Sequence, residues 1–106
     1  MSKQKTSRFK FEVGQIIFHK RYKYRGVIFD RDPVCKADES WYKKNQTQPT
    51  RDQPWYHVLV HDAAHTTYVA ESNLDPDESG QPIRHPILPR IFKSFVNNRY
   101  YHQSMN

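Results

Sequence analysis

The acidic side chains that could act as an acid and base pair are Asp30 and Asp32. They alternate along the end of a predicted strand and could share one face, as paired acid and base groups require. The alternative is that they cap the strand end and its turn. The chain has only three glycines, and it contains neither a glycine-rich phosphate loop nor a nucleophile elbow. The sequence therefore predicts a protein that is not an enzyme.

Six histidines raise the question of a metal site. His57 and His61 share one face of a predicted strand, but at the rise of a strand they lie about 13 Å apart, too far for one ion. His61 and His65 flank a turn, yet two imidazoles without a third ligand make a poor zinc site. Cys35 is the single cysteine and has no partner for a disulfide or a zinc knuckle. We expect no metal, no cofactor and a reducing compartment.

A segment rich in bases and tyrosines links the first two predicted strands. Its members are Lys20, Arg21, Tyr22, Lys23, Tyr24 and Arg25. Lysine and arginine neutralise phosphates and an aromatic ring can contact a base edge, so this segment is a candidate DNA contact. Four further bases in residues 1–10, a predicted flexible arm, extend the candidate surface: Lys3, Lys5, Arg8 and Lys10. The alternatives are a solvated hairpin tip and a solubilising arm.

The distribution of charge supports an anionic partner. The net charge is +6, and residues 1–25 carry eight Lys or Arg against one acid. Residues 55–80 carry five acids and no Lys or Arg, whereas residues 81–106 carry four bases and no acid. Basic ends of this kind favour nucleic acid through phosphate neutralisation and counterion release. No run of 18 apolar residues occurs, so we expect no membrane span.

A hairpin over residues 55–70, with its turn at residues 62–64, is predicted at the centre of the fold because both arms are rich in β-branched and aromatic residues. Successive strand side chains point to opposite sides of a sheet. In the first arm, the face with Tyr56 and Val58 should therefore lie in the core. The face with Leu59 should be half exposed.

Two earlier strands are predicted over residues 13–19 and 25–30. The apolar run at residues 27–29 indicates that the second of them is covered on both faces. Pro33 follows Asp32 and should end this strand, because proline cannot donate a ladder hydrogen bond.

The C-terminal region is predicted to be helical. Residues 83–85 could form a short strand, and residues 87–96 have apolar side chains at spacings of three and four, with Pro89 in the first turn. Asn97–Asn98 would end this helix, and residues 97–106 would form a polar tail.

A long connection over residues 34–54 shows no sustained periodicity and is too long for a simple spacer. Trp41 and Tyr42 lie within it, followed by two lysines. Aromatic side chains next to bases could contact a partner protein or stack on a nucleobase. The alternative is that they fold back over the sheet as a lid.

A series of short motifs runs from residue 11 to residue 74. Its members include Gly14, His19, Gly26, Asp32, Pro33, Pro54, Trp55, Tyr56, Tyr68, Glu71, Asn73 and Leu74. In this order they resemble the YccV-like (HspQ) family. The resemblance implies one mainly β domain over residues 11–96, a small, strongly bent antiparallel barrel of the SH3-like kind. We expect His19 to be a structural imidazole that is hydrogen-bonded at a strand end, and the alternative is a role in binding.

The resemblance also implies a function. The family is described as binding hemimethylated DNA, and its heat-shock members imply a stress-response role in the cytoplasm. The alternative is an adaptor or activity modulator of an ATP-dependent protease such as Lon, or a protein-interaction domain linked to proteolysis. Free sheet edges could also pair in a homo-oligomer.

The region after these motifs looks like the segment that follows the same domain in certain eukaryotic F-box proteins. The residues concerned are His85, Pro86, Phe92, Phe95, Tyr100 and Tyr101. Because the sequence shows no F-box, we expect a standalone protein of the bacterial type.

Overall fold

The computed structural model describes residues 8–104. Its strands are β1 (Ile16–His19), β2 (Arg25–Asp32), β3 (Trp55–Val60), β4 (Thr66–Ala70), β5 (Leu74–Pro76), β6 (Ser94–Val96) and β7 (Arg99–Tyr101). Its helices are α1 (Glu39–Lys44), α2 (Leu88–Ile91) and the 3₁₀ turn Glu71–Asn73. Within this range, no helix has the length and apolar character needed to cross a membrane.

Five strands form an antiparallel sheet in the order β4-β3-β2-β1-β5, and β6 and β7 form a separate hairpin. The mainly β fold class is therefore confirmed. A bulge in β2 between Ile28 and Asp30 bends the sheet. In the described residues β4 pairs only with β3 and β5 only with β1, so the bent sheet is open and not a closed barrel.

Both faces of the sheet are covered. Consecutive residues of each central strand point to opposite faces, so each strand supplies two cores. The first face, here called the Phe11 face, contains Phe11, Ile17, Ile28, Tyr56, Val58, Val69 and Leu74. The second, here called the Phe92 face, contains Ile16, Val27, Leu59, Ile83, Phe92 and Tyr100. The predicted coverage of β2 on both faces is confirmed, and β2 ends at Asp32, directly before Pro33.

The expectation of a half-exposed second face is wrong at Leu59, which is completely buried. The C-terminal segment packs over it through Ile83, Phe92 and Tyr100. Only the two histidines of the same face, His57 and His61, remain partly exposed.

The predicted helix over residues 87–96 is also wrong, because α2 is a single turn and β6 and β7 follow it. Asn97 and Asn98 have φ angles of 52° and 65°. Two successive residues in this left-handed region make the two-residue turn that matches the twist of a β-hairpin. The predicted strand over residues 83–85 is likewise absent from the sheet, and there the backbone N–H of Ile83 donates to the Tyr100 hydroxyl at 2.8 Å.

The C-terminal hairpin is joined to the start of the sheet at Gly14. The N–H of Tyr100 donates to the Gly14 carbonyl at 2.9 Å, and the N–H of Gly14 donates to the Ile28 carbonyl at 2.8 Å. Gly14 has a φ of +94°, and a Cβ atom at this position would overlap the Tyr100 carbonyl oxygen. Only glycine allows the two backbone segments to approach this closely.

We expect Gly14→Ala to destabilise the protein strongly, with Gly80→Ala as its matched control. Gly80 also has a positive φ, but its added Cβ would have 3.4 Å to the nearest atom. Gly80→Ala should therefore cost only the left-handed conformation, about 1 to 2 kcal/mol. Gly14→Ala should cost at least about 2 kcal/mol more because it also forces the backbones apart. Urea unfolding measures both, and equal losses would contradict the close approach.

Candidate nucleic-acid interface

The basic turn, residues 20–24, is a tight connection between β1 and β2. The N–H of His19 donates to the Tyr24 carbonyl at 2.8 Å, and the N–H of Lys23 donates back to the His19 carbonyl at 2.9 Å. Lys23 adopts a φ of 60°. The N–H of Lys20 donates to the Asn73 carbonyl at 2.9 Å, which joins the turn to the 3₁₀ turn. Hydrogen bonds within the basic turn and one to the 3₁₀ turn therefore fix its backbone conformation.

The His19 side chain stabilises the basic turn through hydrogen bonds to its backbone. Its Nδ1 atom accepts hydrogen bonds from the backbone N–H groups of Arg21 at 3.1 Å and Tyr22 at 3.0 Å. Its ring lies 4.8 Å from the ring of Tyr22 and 5.1 Å from that of Tyr24. Burial, and then the charge of Arg21, lower the pKa of His19 below its usual value. The neutral imidazole is the form that can accept both bonds, so His19 has the structural role expected for it.

Three cations project from this ordered turn. Lys20, Arg21 and Lys23 are all exposed, and the ring of Tyr22 between them is 50% exposed. Among residues 8–104, Arg21 and Lys23 form no salt bridge. Lys20 lies 3.8 Å from an Asp75 carboxylate, but both side chains are at least half solvent-exposed, so this pair is weak.

The other two predicted members of the segment have structural roles. Arg25 forms a two-point ion pair with Asp77, with its Nε at 3.0 Å, and both side chains are largely buried. Burial opposes ionisation of Asp77, but the hydrogen bonds from Arg25 and Ser79, together with the charge of Arg25, lower the pKa of this carboxyl. Tyr24 is half-buried, and its hydroxyl is hydrogen-bonded to that of Thr67 at 2.7 Å. Neither side chain is free to contact a phosphate.

Of the N-terminal bases, Lys10 is bound to the same region. Lys3 and Lys5 lie outside the described residues, whereas Arg8 and Lys10 are exposed. The backbone N–H of Lys10 donates to a carboxylate oxygen of Glu71 at 2.9 Å. Because the basic turn is bound to Asn73 at the other end of the 3₁₀ turn, the structure brings Lys10 and the basic turn to one short element.

Next to the basic turn lies a cavity of about 450 Å³, here called the aromatic groove. It lies between the basic turn, the segment that contains α1, and β4. Its aromatic lining residues are His19, Tyr22, Tyr24, Trp41, Trp55, His57 and Tyr68. Its lining contains no Lys, Arg, Asp or Glu. Sequence reasoning missed this groove, because its residues come from separate segments that only the folded chain brings together.

Trp41 and Tyr42 fold back over the sheet, as the lid alternative requires. Asp38 begins α1 by accepting the N–H of Trp41 at 2.9 Å. The ring of Trp41 then packs edge-on against Trp55 at 6.1 Å, and Tyr42 packs against the same ring at 6.4 Å. Both side chains remain partly exposed, and their predicted contact with a partner protein stays a prediction.

Several motif residues hold the strands together. One carboxylate oxygen of Asp32 accepts the Tyr68 hydroxyl at 2.7 Å and the Nε2–H of His57 at 3.2 Å. Burial, reinforced by this carboxylate, raises the pKa of Tyr68. Asp30 instead accepts the N–H of Arg31 at 2.8 Å. The two aspartates therefore have separate structural partners at the end of β2.

The remaining motif residues surround the 3₁₀ turn and the core. The carbonyl of Pro54 accepts the N–H of Glu71 at 2.9 Å, and the Tyr56 hydroxyl donates to the Glu71 carboxylate at 2.7 Å. A Cβ atom at Gly26 would overlap the side chain of Val58. Among residues 8–104, no three His, Cys, Asp or Glu side chains are placed to hold a metal ion.

A family model described as hemimethylated DNA-binding protein YccV like matches residues 9–99. The chain belongs to this family. The match covers the main sheet, β6 and the first residue of β7, and so it extends beyond the motifs at residues 11–74.

Curated relatives carry the same domain. F-box only protein 21 of Homo sapiens and that of Pongo abelii are each 34% identical to this chain over 93 residues, and that of Mus musculus is 33% identical. The similarity covers 85% of this chain and 15% of each relative, so the chain spans about 15% of their length.

We expect His19→Asn to change the pH dependence of stability. Because the pKa of His19 is lowered from 6.5 in the folded state, the neutral ring stabilises the fold above that pH, and this contribution is lost as the pH falls below it. Asparagine keeps an acceptor oxygen but does not titrate. Urea unfolding from neutral to acidic pH should show a steeper loss in the unmodified protein. The other histidines are present in both proteins, and parallel curves would contradict the assignment.

Proposed function

We propose that this chain is a DNA-binding module that contacts the phosphate backbone through the basic turn. The observation that carries the proposal is the display of Lys20, Arg21 and Lys23 on a turn that is already ordered. The description of the family as hemimethylated DNA-binding supports it.

The energetics favour this use of the turn. Each phosphate that a lysine or arginine neutralises releases condensed counterions, which supplies most of non-specific DNA affinity. Because His19 and the backbone bonds already fix the turn, little further conformational entropy is lost on binding. Lys10 is exposed, its N–H is bound to the 3₁₀ turn that also binds the basic turn, and its side chain adds to the cationic surface. Arg25 is left out of this surface because Asp77 binds it.

Hemimethyl readout is the finer part of the proposal. The N6 position of adenine faces the major groove, where a methyl group would meet an inserted side chain. Tyr22 is the exposed ring among the three cations. Its hydroxyl donates to Gln46 at 3.2 Å, and this bond fixes the ring at the side of the aromatic groove. One methyl group in an apolar contact gives about 1 to 3 kcal/mol of discrimination. The preference should therefore be modest and add to a large electrostatic contribution.

We expect the double variant Arg21→Ala/Lys23→Ala to weaken duplex binding and to flatten its salt dependence. The loss of two phosphate contacts should make the slope of log affinity against log salt less negative by about 1.8. The matched control is Arg90→Ala/Lys93→Ala, which removes the same charge from the segment over the Phe92 face. Fluorescence anisotropy with a labelled duplex measures both. Equal weakening by the two variants would show that net charge, and not the basic turn, drives binding.

Methyl readout is tested with a duplex that carries one N6-methyladenine and with its unmethylated twin. We expect the unmodified protein to prefer the methylated duplex by about tenfold or more, in line with 1.4 kcal/mol per factor of ten. Tyr22→Ala should abolish this difference, and Tyr22→Phe should preserve it because the ring remains. If both duplexes bind equally to the unmodified protein, the domain does not read the methyl group.

A further inference from the structure

The two edges of the main sheet differ in how they are protected. β5 has three residues, of which one is charged Asp75 and one is Pro76. Short strands, charges and prolines are the usual means of keeping an edge from pairing with another chain. β4 has five residues, with no charge and no proline. The β4 edge therefore lacks the protection that the β5 edge has.

The register shows which backbone groups of β4 face outward. The N–H of Val60 donates to the His65 carbonyl at 3.4 Å, and the N–H of Glu71 donates to the Pro54 carbonyl at 2.9 Å. In an antiparallel pair, hydrogen-bonded positions alternate. With the observed pairing of β3 and β4, Thr67 and Val69 must then bond to β3.

The intervening residues Thr66, Tyr68 and Ala70 direct their N–H groups away from β3. The carbonyl groups of Thr66 and Tyr68 point the same way. Among residues 8–104, none of these five groups has a hydrogen-bond partner. Ala70 is only 1% exposed, so its N–H is covered, and the accessible groups are the N–H and carbonyl groups of Thr66 and Tyr68. They form a row of donors and acceptors spaced as in an unpaired strand.

The aromatic groove runs along this row. All five residues of β4 line it, although their side chains alternate between the two faces of the sheet, so the groove follows the backbone edge itself. Five residues of strand span roughly 16 Å. Trp41 and Tyr22 lie among the other lining residues and supply apolar surface beside the edge.

The borders of the groove are positively charged, while its lining is neutral. The basic turn borders one part with Lys20, Arg21 and Lys23. The segment that lines another part begins with α1, whose last two residues are Lys43 and Lys44, both exposed. Lys43 lies 3.7 Å from the Glu39 carboxylate of the same helix, but both side chains are about two-thirds exposed, so this pair is weak. A neutral groove with cationic borders complements a chain that is uncharged at its centre and acidic at its ends.

We propose that the edge of β4 binds an extended peptide of a partner protein as an additional strand. Such a peptide would carry β-branched or aromatic residues at its centre and acidic residues on both sides. Main-chain hydrogen bonds to Thr66 and Tyr68 supply affinity, and the aromatic groove selects side chains. A stacked nucleobase would use the rings but leave the row of backbone groups unpaired. This inference does not depend on the DNA-binding proposal.

The test uses ¹⁵N-labelled full chain and a library of synthetic heptapeptides with aspartate at both ends and varied central residues. We expect members to bind, and amide hydrogen exchange to slow by at least about tenfold at Thr66 and Tyr68 in the complex. Thr67 and Val69 should change little, because they already bond to β3. If no member binds, or if binding leaves the Thr66 and Tyr68 amides unprotected, the proposal is overturned.

Two forms of the best peptide separate main-chain pairing from side-chain contact in the unmodified protein. Methylation of alternate peptide nitrogens on the edge that faces β4 should weaken binding at least about tenfold. Methylation of the other edge should have little effect. Equal effects of the two forms would overturn strand addition.

Variants at Thr66 test the same edge from the protein side. Thr66 is exposed, and its N–H points outward, so Thr66→Pro removes one donor without removing a bond to β3. It should weaken peptide binding about tenfold, whereas Thr66→Ala should not. If Thr66→Pro fails to fold, the methylated peptides still distinguish strand addition from side-chain contact in the unmodified protein.

Two other occupants of the edge are outcomes of the same experiments. Sedimentation of the free chain would reveal a dimer, and protection of the Thr66 and Tyr68 amides that rises with protein concentration would assign the edge to a second copy. A single-stranded oligonucleotide that shifts the groove resonances, while the peptides do not, would assign the groove to nucleobases. Either result would overturn the proposal.

Discussion

The carboxylate of Glu71 is the interaction on which most of this architecture depends. It accepts the Tyr56 hydroxyl from the centre of the sheet and the backbone N–H of Lys10 from the start of the described chain. Hydrogen bonds to a charged group contribute roughly 1.5 to 3 kcal/mol each. The same 3₁₀ turn binds the basic turn through Asn73. One element between β4 and β5 thus fixes the N-terminal segment, the central strand and the candidate DNA surface.

A second constraint is that a single bent sheet must be covered on both sides by a short chain. The N-terminal residues cover the Phe11 face, and the C-terminal hairpin covers the Phe92 face. The two coverings meet at Gly14, where the approach of the backbones excludes a side chain. The core of this domain therefore includes the hairpin, which agrees with the extent of the family match to residue 99.

The strands of the main sheet could be predicted because alternation and proline positions are local signals. Paired asparagines favour left-handed φ, so Asn97–Asn98 also carries a local signal for the hairpin, but the apolar spacing of residues 87–96 favours a helix. Arg25 could not be separated from its neighbours by sequence, because its partner Asp77 lies 52 residues away. The aromatic groove and the free edge of β4 depend on long-range packing and strand order, which no local pattern specifies.

The packing of α1 over the sheet gives the chain a built-in optical reporter. Its two tryptophans, Trp41 and Trp55, both line the aromatic groove and lie 6.1 Å apart. Trp55 is 2% exposed, and its indole N–H is buried without a hydrogen-bond partner in the described residues. Indole emission therefore originates wholly at the groove. Any displacement of α1 would separate the two indoles and admit water to Trp55. The wavelength of maximal tryptophan fluorescence therefore reports whether α1 covers the aromatic groove.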